Sequence, residues 1–187
     1  MTDHMDEKRK KTISKFMSRV LRHKPQNIGI TIEYNGAWAD TNALLEGMQK
    51  TGFKITLEEI KEVVATNDKQ RFKFSDEFFT KIRANQGHSI PVDLGYEAVE
   101  PPFLLYHGTA GKFIEAIRAE GIIAKTRQHV HLSPDKETAY KVGRRHGSPV
   151  ILTINSAKMH EDGYKFYLSD NGVWLTDAVP AAYIWQF

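Results

Sequence analysis

The chain contains no cysteine among its 187 residues, which excludes disulfides, thiolate zinc sites and a cysteine nucleophile. No apolar run approaches the ~20 residues that span a bilayer, and no signal-peptide pattern opens the sequence. Neither the dinucleotide-binding nor the phosphate-loop glycine pattern occurs. No pair of carboxylates stands out as an acid–base couple, and there is no internal repeat or low-complexity tract. A soluble cytoplasmic protein of one large or two small domains is expected. The formal charge of +3 is modest; it permits nucleic-acid contact without requiring it.

What the sequence does have is arginine and histidine gathered around glycine. The pair Arg-His occurs as Arg22-His23 and again as Arg145-His146. Guanidinium and imidazole groups together suit gripping a phosphate, so an anionic substrate is expected.

Residues 1–12 are charged and almost free of apolar side chains, and are expected to form a mobile tail whose Lys8-Arg9-Lys10-Lys11 cluster is solvated. From Ile13, apolar residues at Phe16, Met17, Val20 and Leu21 mark one buried helix face, ended by Lys24-Pro25. The run Ile28-Gly29-Ile30-Thr31-Ile32 and the residues after Asn35-Gly36 predict a small hairpin. A second helix should start near Asp40-Thr41, bury Leu44, Leu45 and Met48, and stop at Gly52. A third follows Thr56, which with Glu59 fits a capping box, and buries Leu57, Ile60, Val63 and Val64. Strands are expected at 71–74 and 81–84, with a turn at Ser75-Asp76. Three helices and a hairpin over 13–90 is the order of a winged-helix module.

Residues 91–102, broken by Pro91, Gly95 and Pro101-Pro102, read as a linker. The remainder, 103–187, is strand-rich. A strand from Phe103 runs into His107-Gly108-Thr109, a helix covers 113–119, and Val130-His131-Leu132 is a short strand. Pro134 opens a helix ending near Val142-Gly143. Strands at 150–154, 173–175 and 183–187 complete one predicted sheet. The fold class is therefore α+β.

Most candidate site residues have an ordinary structural reading as well. Arg22 and His23 close a helix, where cations complement the dipole by about 0.3–1 kcal/mol. Arg71 alternates with buried Phe72 and Phe74, as an exposed strand residue does. Around Gly87, the residues Arg83, Gln86, His88 and Ser89 crowd donors that suit either an anion cradle or a polar loop. His129-Val130-His131 has no carboxylate or further histidine at ligand spacing, so no metal is expected.

Taken in order, Leu21-Arg22-His23-Lys24-Pro25, Arg71-Phe72, Ile82 through Ser89, Tyr106-His107-Gly108-Thr109, Val130-His131-Leu132-Ser133, Gly143 through Gly147 and Asn171 through Thr176 resemble the RNA 2′-phosphotransferase family, the NAD-dependent enzymes often called KptA. The resemblance implies a winged-helix lobe followed by a β-rich ADP-ribosyltransferase-like lobe. It implies removal of an internal 2′-phosphate from tRNA-like RNA, with NAD as co-substrate and no metal. An RNA-2′-phospho-ADP-ribose intermediate would form, and nicotinamide and ADP-ribose 1″,2″-cyclic phosphate would leave. By the same resemblance Arg22, His23, Arg71 and Arg145 are catalytic; Arg145 is chosen over Arg144 because the family pattern has Arg directly before His-Gly. His107, Gly108, Thr109, His131 and Ser133 would hold NAD, with 171–176 as a third wall of that pocket. Arg83, Gln86, His88 and Ser89 are further candidates for RNA or phosphate contact. No membrane or obligate protein partner is implied. The alternative is an ADP-ribosyltransferase acting on another nucleic-acid phosphate or on protein. Many relatives in that broader class carry a catalytic Glu on the strand that here reads Asn171 to Thr176, without Glu.

Overall fold

The structure, a computed structural model, describes residues 5–185. The chain divides into two compact units, Met1–Gly95 and Tyr96–Phe187.

The N-terminal unit opens with α1, Glu7–Arg22, capped by the Asp6 carboxylate, which accepts from Arg9 N at 2.8 Å. The helix thus starts six residues before Ile13, inside the stretch expected to be a mobile tail. The cause is long-range: Arg9 Nε meets Glu59 at 3.0 Å and Lys10 Nζ meets Glu62 at 3.2 Å, tying the charged first turns to α3 (Leu57–Thr66). The apolar stripe then buries Ile13, Met17, Val20 and Leu21 completely or nearly so.

No hairpin forms over 28–38. Pro25–Ile28 make a 3-10 turn instead, and the chain reverses through Gly36 and Ala37, both at positive φ, with Glu33 N donating to Trp38 O at 2.8 Å. The Asn-Gly signal marks the reversal but falls one residue early. The two-residue β1, Ala39–Asp40, leads into α2, Thr41–Lys50, whose first turn Asp40 caps at 2.8 Å. The capping box at Thr56 and Glu59 is present in both directions. β2 (Phe72–Phe74) and β3 (Lys81–Ala84) pair antiparallel, and β1 joins the far side of β3, so the strand order is β1-β3-β2. Residues 92–94, read as linker, pack here: Val92 and Leu94 are buried, and Asp93 N donates to Tyr34 O.

In the C-terminal unit β4, Leu105–Ala110, runs into a 3-10 turn at Gly111–Phe113 and α4, Ile114–Glu120. There follow β5 (Ile122–Ile123), β6 (Val130–Leu132), α5 (Lys136–Gly143), β7 (Pro149–Ile154), α6 (Ser156–Glu161), β8 (Tyr167–Leu168), β9 (Trp174–Thr176) and β10 (Ala178–Val179). The single predicted sheet is in fact three: β4-β7, β6-β9-β8 and β5-β10. β4 and the end of β6 meet at a bridge, Tyr106 and Ser133 exchanging backbone bonds at 2.9 and 2.7 Å. The strand expected at 183–187 is replaced by a 3-10 turn, Ala181–Tyr183, and a bridge from Ile184 to Ile154. Gln186 and Phe187 lie outside the described residues. Leu105, Leu132, Leu152, Ile154 and Phe166 form the heart of this second core. Among the described residues no helix is long and apolar enough to cross a membrane.

Candidate active site

The end of α1 carries the first cluster. Arg22 is its last residue and His23 its C-cap. The segment after β3 folds over this end: Ser89 N donates to Arg22 O at 3.0 Å, and the Ser89 hydroxyl lies 2.8 Å from His23 Nδ1. Gly87, at φ +90, lies beside the Arg22 side chain, where an added Cβ would sit 3.7 Å from Arg22 Cδ and Nε. A glycine is required by that φ, and the resulting turn brings Arg22, His23, His88 and Ser89 together.

His88 is only 1% exposed. Burial first, then the neighbouring Arg22, His23 and Arg83, push its imidazole down to about 3. It is therefore neutral at physiological pH. Among the described residues neither of its ring nitrogens has a hydrogen-bond partner.

Arg83 is engaged inside the N-terminal unit. Its Nη1 donates to Gly36 O at 3.2 Å and Leu94 O at 3.4 Å, and its guanidinium carbon lies 4.7 Å from the Trp38 ring. This buried cation holds the 33–38 reversal and the 92–94 segment. Gln86 is half-buried in the same loop. Arg71 precedes β2; its N and Nη1 both donate to Asn67 Oδ1, at 3.2 and 3.4 Å, and its carbonyl accepts from Asn85 N at 2.9 Å. Arg71 thus stands across from the start of the loop that carries His88 and Ser89.

The second cluster is a cavity of about 420 Å³ in the C-terminal unit. His107, Gly108 and Thr109 line it from β4, as do Arg127, His129 and His131 from the approach to β6. Apolar lining comes from Phe113, Ile117, Ile122 and Val130, and the charged lining is Lys125 and Arg127 against Glu120. His107 Nδ1 lies 3.0 Å from the His131 carbonyl. A carbonyl can only accept, so the proton sits on Nδ1 and Nε2 keeps its lone pair. Burial lowers the His107 pKa; the bond to His131 opposes this and His146 reinforces it. Burial likewise lowers His129, partly offset by Asp177, and lowers Arg127. Arg127 Nη1 lies 2.6 Å from His131 Nδ1.

Gly108 owes its identity to packing. A Cβ there would lie 1.7 Å from the Ala139 carbonyl oxygen and 2.8 Å from Gly143 N; one on Gly143 would lie 2.7 Å from Thr109 O. The two glycines let β4 and α5 touch backbone to backbone.

Two expected residues and one expected segment fall outside this lining. Ser133 is buried and engaged with Tyr106 through its backbone. Arg145 is exposed on the turn after α5, its N donating to Val142 O at 3.2 Å, while its neighbour His146 does line the cavity, edge-on to Phe113 at 6.5 Å. The third-wall segment 171–176 contributes β9, which pairs with β6 through His131 and Leu175, but none of its residues lines the cavity. Leu175 and Thr176 are buried, and the Thr176 hydroxyl donates to Lys165 O at 2.9 Å. Sequence reasoning missed Phe113, Lys125, Arg127, His129 and His146 as lining. The alternation Arg127-x-His129-x-His131 was the available signal. Among the described residues no group of three or more His, Asp or Glu could hold a metal ion.

Comparison with known proteins adds to this geometry. Residues 8–178 match the profile of the family described as "RNA 2'-phosphotransferase, Tpt1 / KptA family". The chain is 55% identical over 180 residues to the "Probable RNA 2'-phosphotransferase" of Flavobacterium johnsoniae, covering 96% of this chain and 98% of that protein. It is 49% identical over 180 residues to the protein of the same name from Streptomyces coelicolor, covering 96% and 97%. A third of that name, from Acaryochloris marina, is 53% identical over 174 residues, covering 92% and 94%. The arginine–histidine cluster at the end of α1 and the cation-lined cavity beyond β4 thus occur in a chain that belongs to the RNA 2′-phosphotransferase, Tpt1/KptA family.

Proposed function

We propose that this protein removes an internal 2′-phosphate from RNA, of the kind left at a tRNA splice junction, by transferring it to NAD. The observation that carries the NAD half is the C-terminal cavity. Its size, its apolar and aromatic lining and its paired cations suit a dinucleotide with a flat ring and a diphosphate. His107 Nε2, left unprotonated by the bond at Nδ1, accepts from a ribose hydroxyl.

The phosphate is held by Arg22, His23 and Arg71. A phosphate monoester is largely dianionic at neutral pH, its second pKa being about 6. It attacks the ribose carbon that bears nicotinamide without a general base; the C–N bond breaks and nicotinamide leaves. A neighbouring ribose hydroxyl then attacks phosphorus, and the RNA 2′-oxygen departs with a proton. Arginines stabilise the charge that builds on the phosphoryl oxygens in that step. His88 stays neutral beside the clamp, and Ser89 holds the His23 ring through Nδ1.

We read the N-terminal unit as a winged-helix module. The element order α1-β1-α2-α3-β2-β3 with strand order β1-β3-β2 supports this. The C-terminal unit is read as ADP-ribosyltransferase-like, its strands enclosing the cavity beside α4. A 2′-phosphorylated oligonucleotide incubated with the protein should keep its phosphate when NAD is omitted and lose it when NAD is added. Phosphate loss without NAD would replace this reading with hydrolysis.

A further inference from the structure

Beyond its first residue, α1 carries cations and no acid: Lys8, Arg9, Lys10, Lys11, Lys15, Arg19 and Arg22. They divide into two sets. Arg9 and Lys10 are spent on Glu59 and Glu62. Lys8, Lys11, Lys15 and Arg19 are exposed, and among the described residues none of these four forms an ion pair. At 3.6 residues per turn these four and Arg22 fall within an arc of about 80° on the helix surface, across from buried Ile13, Met17, Val20 and Leu21. Successive members stand about one turn apart. Like charges at that spacing repel, and Lys8 and Lys11 also oppose the positive end of the helix dipole. Thr12 and Ser18 flank the row, so no apolar side chain interrupts it.

We propose that this row receives the sugar-phosphate backbone of the RNA strand on one side of the 2′-phosphate and leads it to Arg22. The proposal rests on the reading of Arg22 and His23 as the phosphate clamp. From Lys8 to Arg22 the helix rises about 21 Å, the reach of about six nucleotides at the stacked spacing of about 3.4 Å per phosphate. A basic stripe along one helix is the electrostatic footprint of nucleic-acid binding. Protein interfaces are built around an apolar centre, which this face lacks. Phosphate contacts fix register and orientation without reading sequence, so the row admits any sequence beside the 2′-phosphate.

Binding of 2′-phosphorylated RNA by the full-length protein without NAD tests the row. A trinucleotide with the phosphate at its centre is compared with RNAs extended by roughly six nucleotides on the 5′ or the 3′ side. Lys11→Gln/Lys15→Gln is compared with Lys50→Gln/Lys54→Gln, an equal charge change at exposed lysines of the same unit outside the row. For one of the extended RNAs the first variant should show a salt dependence shallower by about 1.4, from two lost contacts at about 0.7 each on a single strand. The wild-type advantage over it should then shrink roughly sevenfold between about 50 and 200 mM salt. Trinucleotide binding should match wild type, and the Lys50/Lys54 variant should match it for every RNA. With NAD added, KM for that extended RNA should rise while kcat stays unchanged, the mark of lost uniform binding. An unchanged salt dependence with both extended RNAs, equal losses in the two variants, or equal weakening of trinucleotide and extended RNA overturns the proposal. Wild-type protein that binds the extended RNA but leaves its phosphate in place when NAD is added sinks the phosphotransfer reading, while the salt dependence still decides the row.

Discussion

Gly108 offers the sharpest test of how the cavity is built. Substituting alanine puts a methyl 1.7 Å from the Ala139 carbonyl oxygen, 2.6 Å from its carbon and 2.8 Å from Gly143 N. All three are backbone atoms, so no side chain can swing aside; α5 must move from β4 by well over an ångström. That movement also strains the six-residue β4–β7 ladder, because Gly143 packs on Thr109 O and Pro149. Inserting one methylene into a packed core costs roughly 1–3 kcal/mol when neighbours can adjust. Here they cannot, and a loss of at least about 3 kcal/mol is expected for Gly108→Ala. For a unit of this size about 3 kcal/mol corresponds to a fall of roughly 12–24 °C in midpoint. Thermal unfolding followed by circular dichroism, with ADP-ribose titration of the protein that remains folded, reads both effects. A Gly108→Ala protein with wild-type thermal stability but impaired ADP-ribose binding would refute the packing argument, and would mean that the glycine serves ligand approach instead.

Further outcomes follow from the same structure. His88 titrates near 3 when folded against 6.5 in the unfolded chain, so the unfolded state takes up the proton first and stability falls as pH drops from 6.5 toward 3. One proton contributes about 1.4 kcal/mol per pH unit, or about 2 kcal/mol between pH 6.5 and 5. Denaturant unfolding of His88→Gln should therefore show an acid dependence shallower by one proton; His107 and His129, also lowered, contribute in the same direction and remain. Thr56→Ala removes one half of the α3 capping box and should cost about 1 kcal/mol in the same assay, with activity per folded molecule unchanged. Arg71→Ala should fold normally and either stall with an RNA–ADP-ribose adduct or lose turnover; wild-type turnover would remove Arg71 from the site. Arg22→Lys should lose most activity, because an ammonium cannot reproduce a two-point phosphate grip; near-normal rates would mean that charge alone suffices.

Local signals carried most of the N-terminal unit. The 3.6-residue spacing from Ile13, the Asp40 start, the Thr56 capping box and the alternation around Phe72 each specify an element from a few adjacent residues. What escaped was set by distant partners. The charged start of α1 becomes helical through Glu59 and Glu62, some fifty residues away. Val92 and Leu94 look like linker until the 33–38 reversal gives them something to pack on. The short strands β5, β8 and β10 are two residues each, too brief to show a period. The cavity was half legible: the His-Gly-Thr strand end pointed to it, whereas the lining by Arg127, His129 and His146 depends on how α4 and α5 pack. At Arg83 the sequence shows only a cation among polar residues, since the Gly36 and Leu94 carbonyls it meets lie 47 and 11 residues away.

The central claim is that one turnover couples phosphate removal from RNA to NAD cleavage. An oligonucleotide labelled with ³²P at an internal 2′-phosphate, incubated with the protein and NAD, tests it most directly. The account predicts that the label leaves the RNA as a cyclic phosphate of ADP-ribose, with one nicotinamide released for each phosphate lost. Label appearing as inorganic phosphate, or nicotinamide released while the label stays on the RNA, would contradict it.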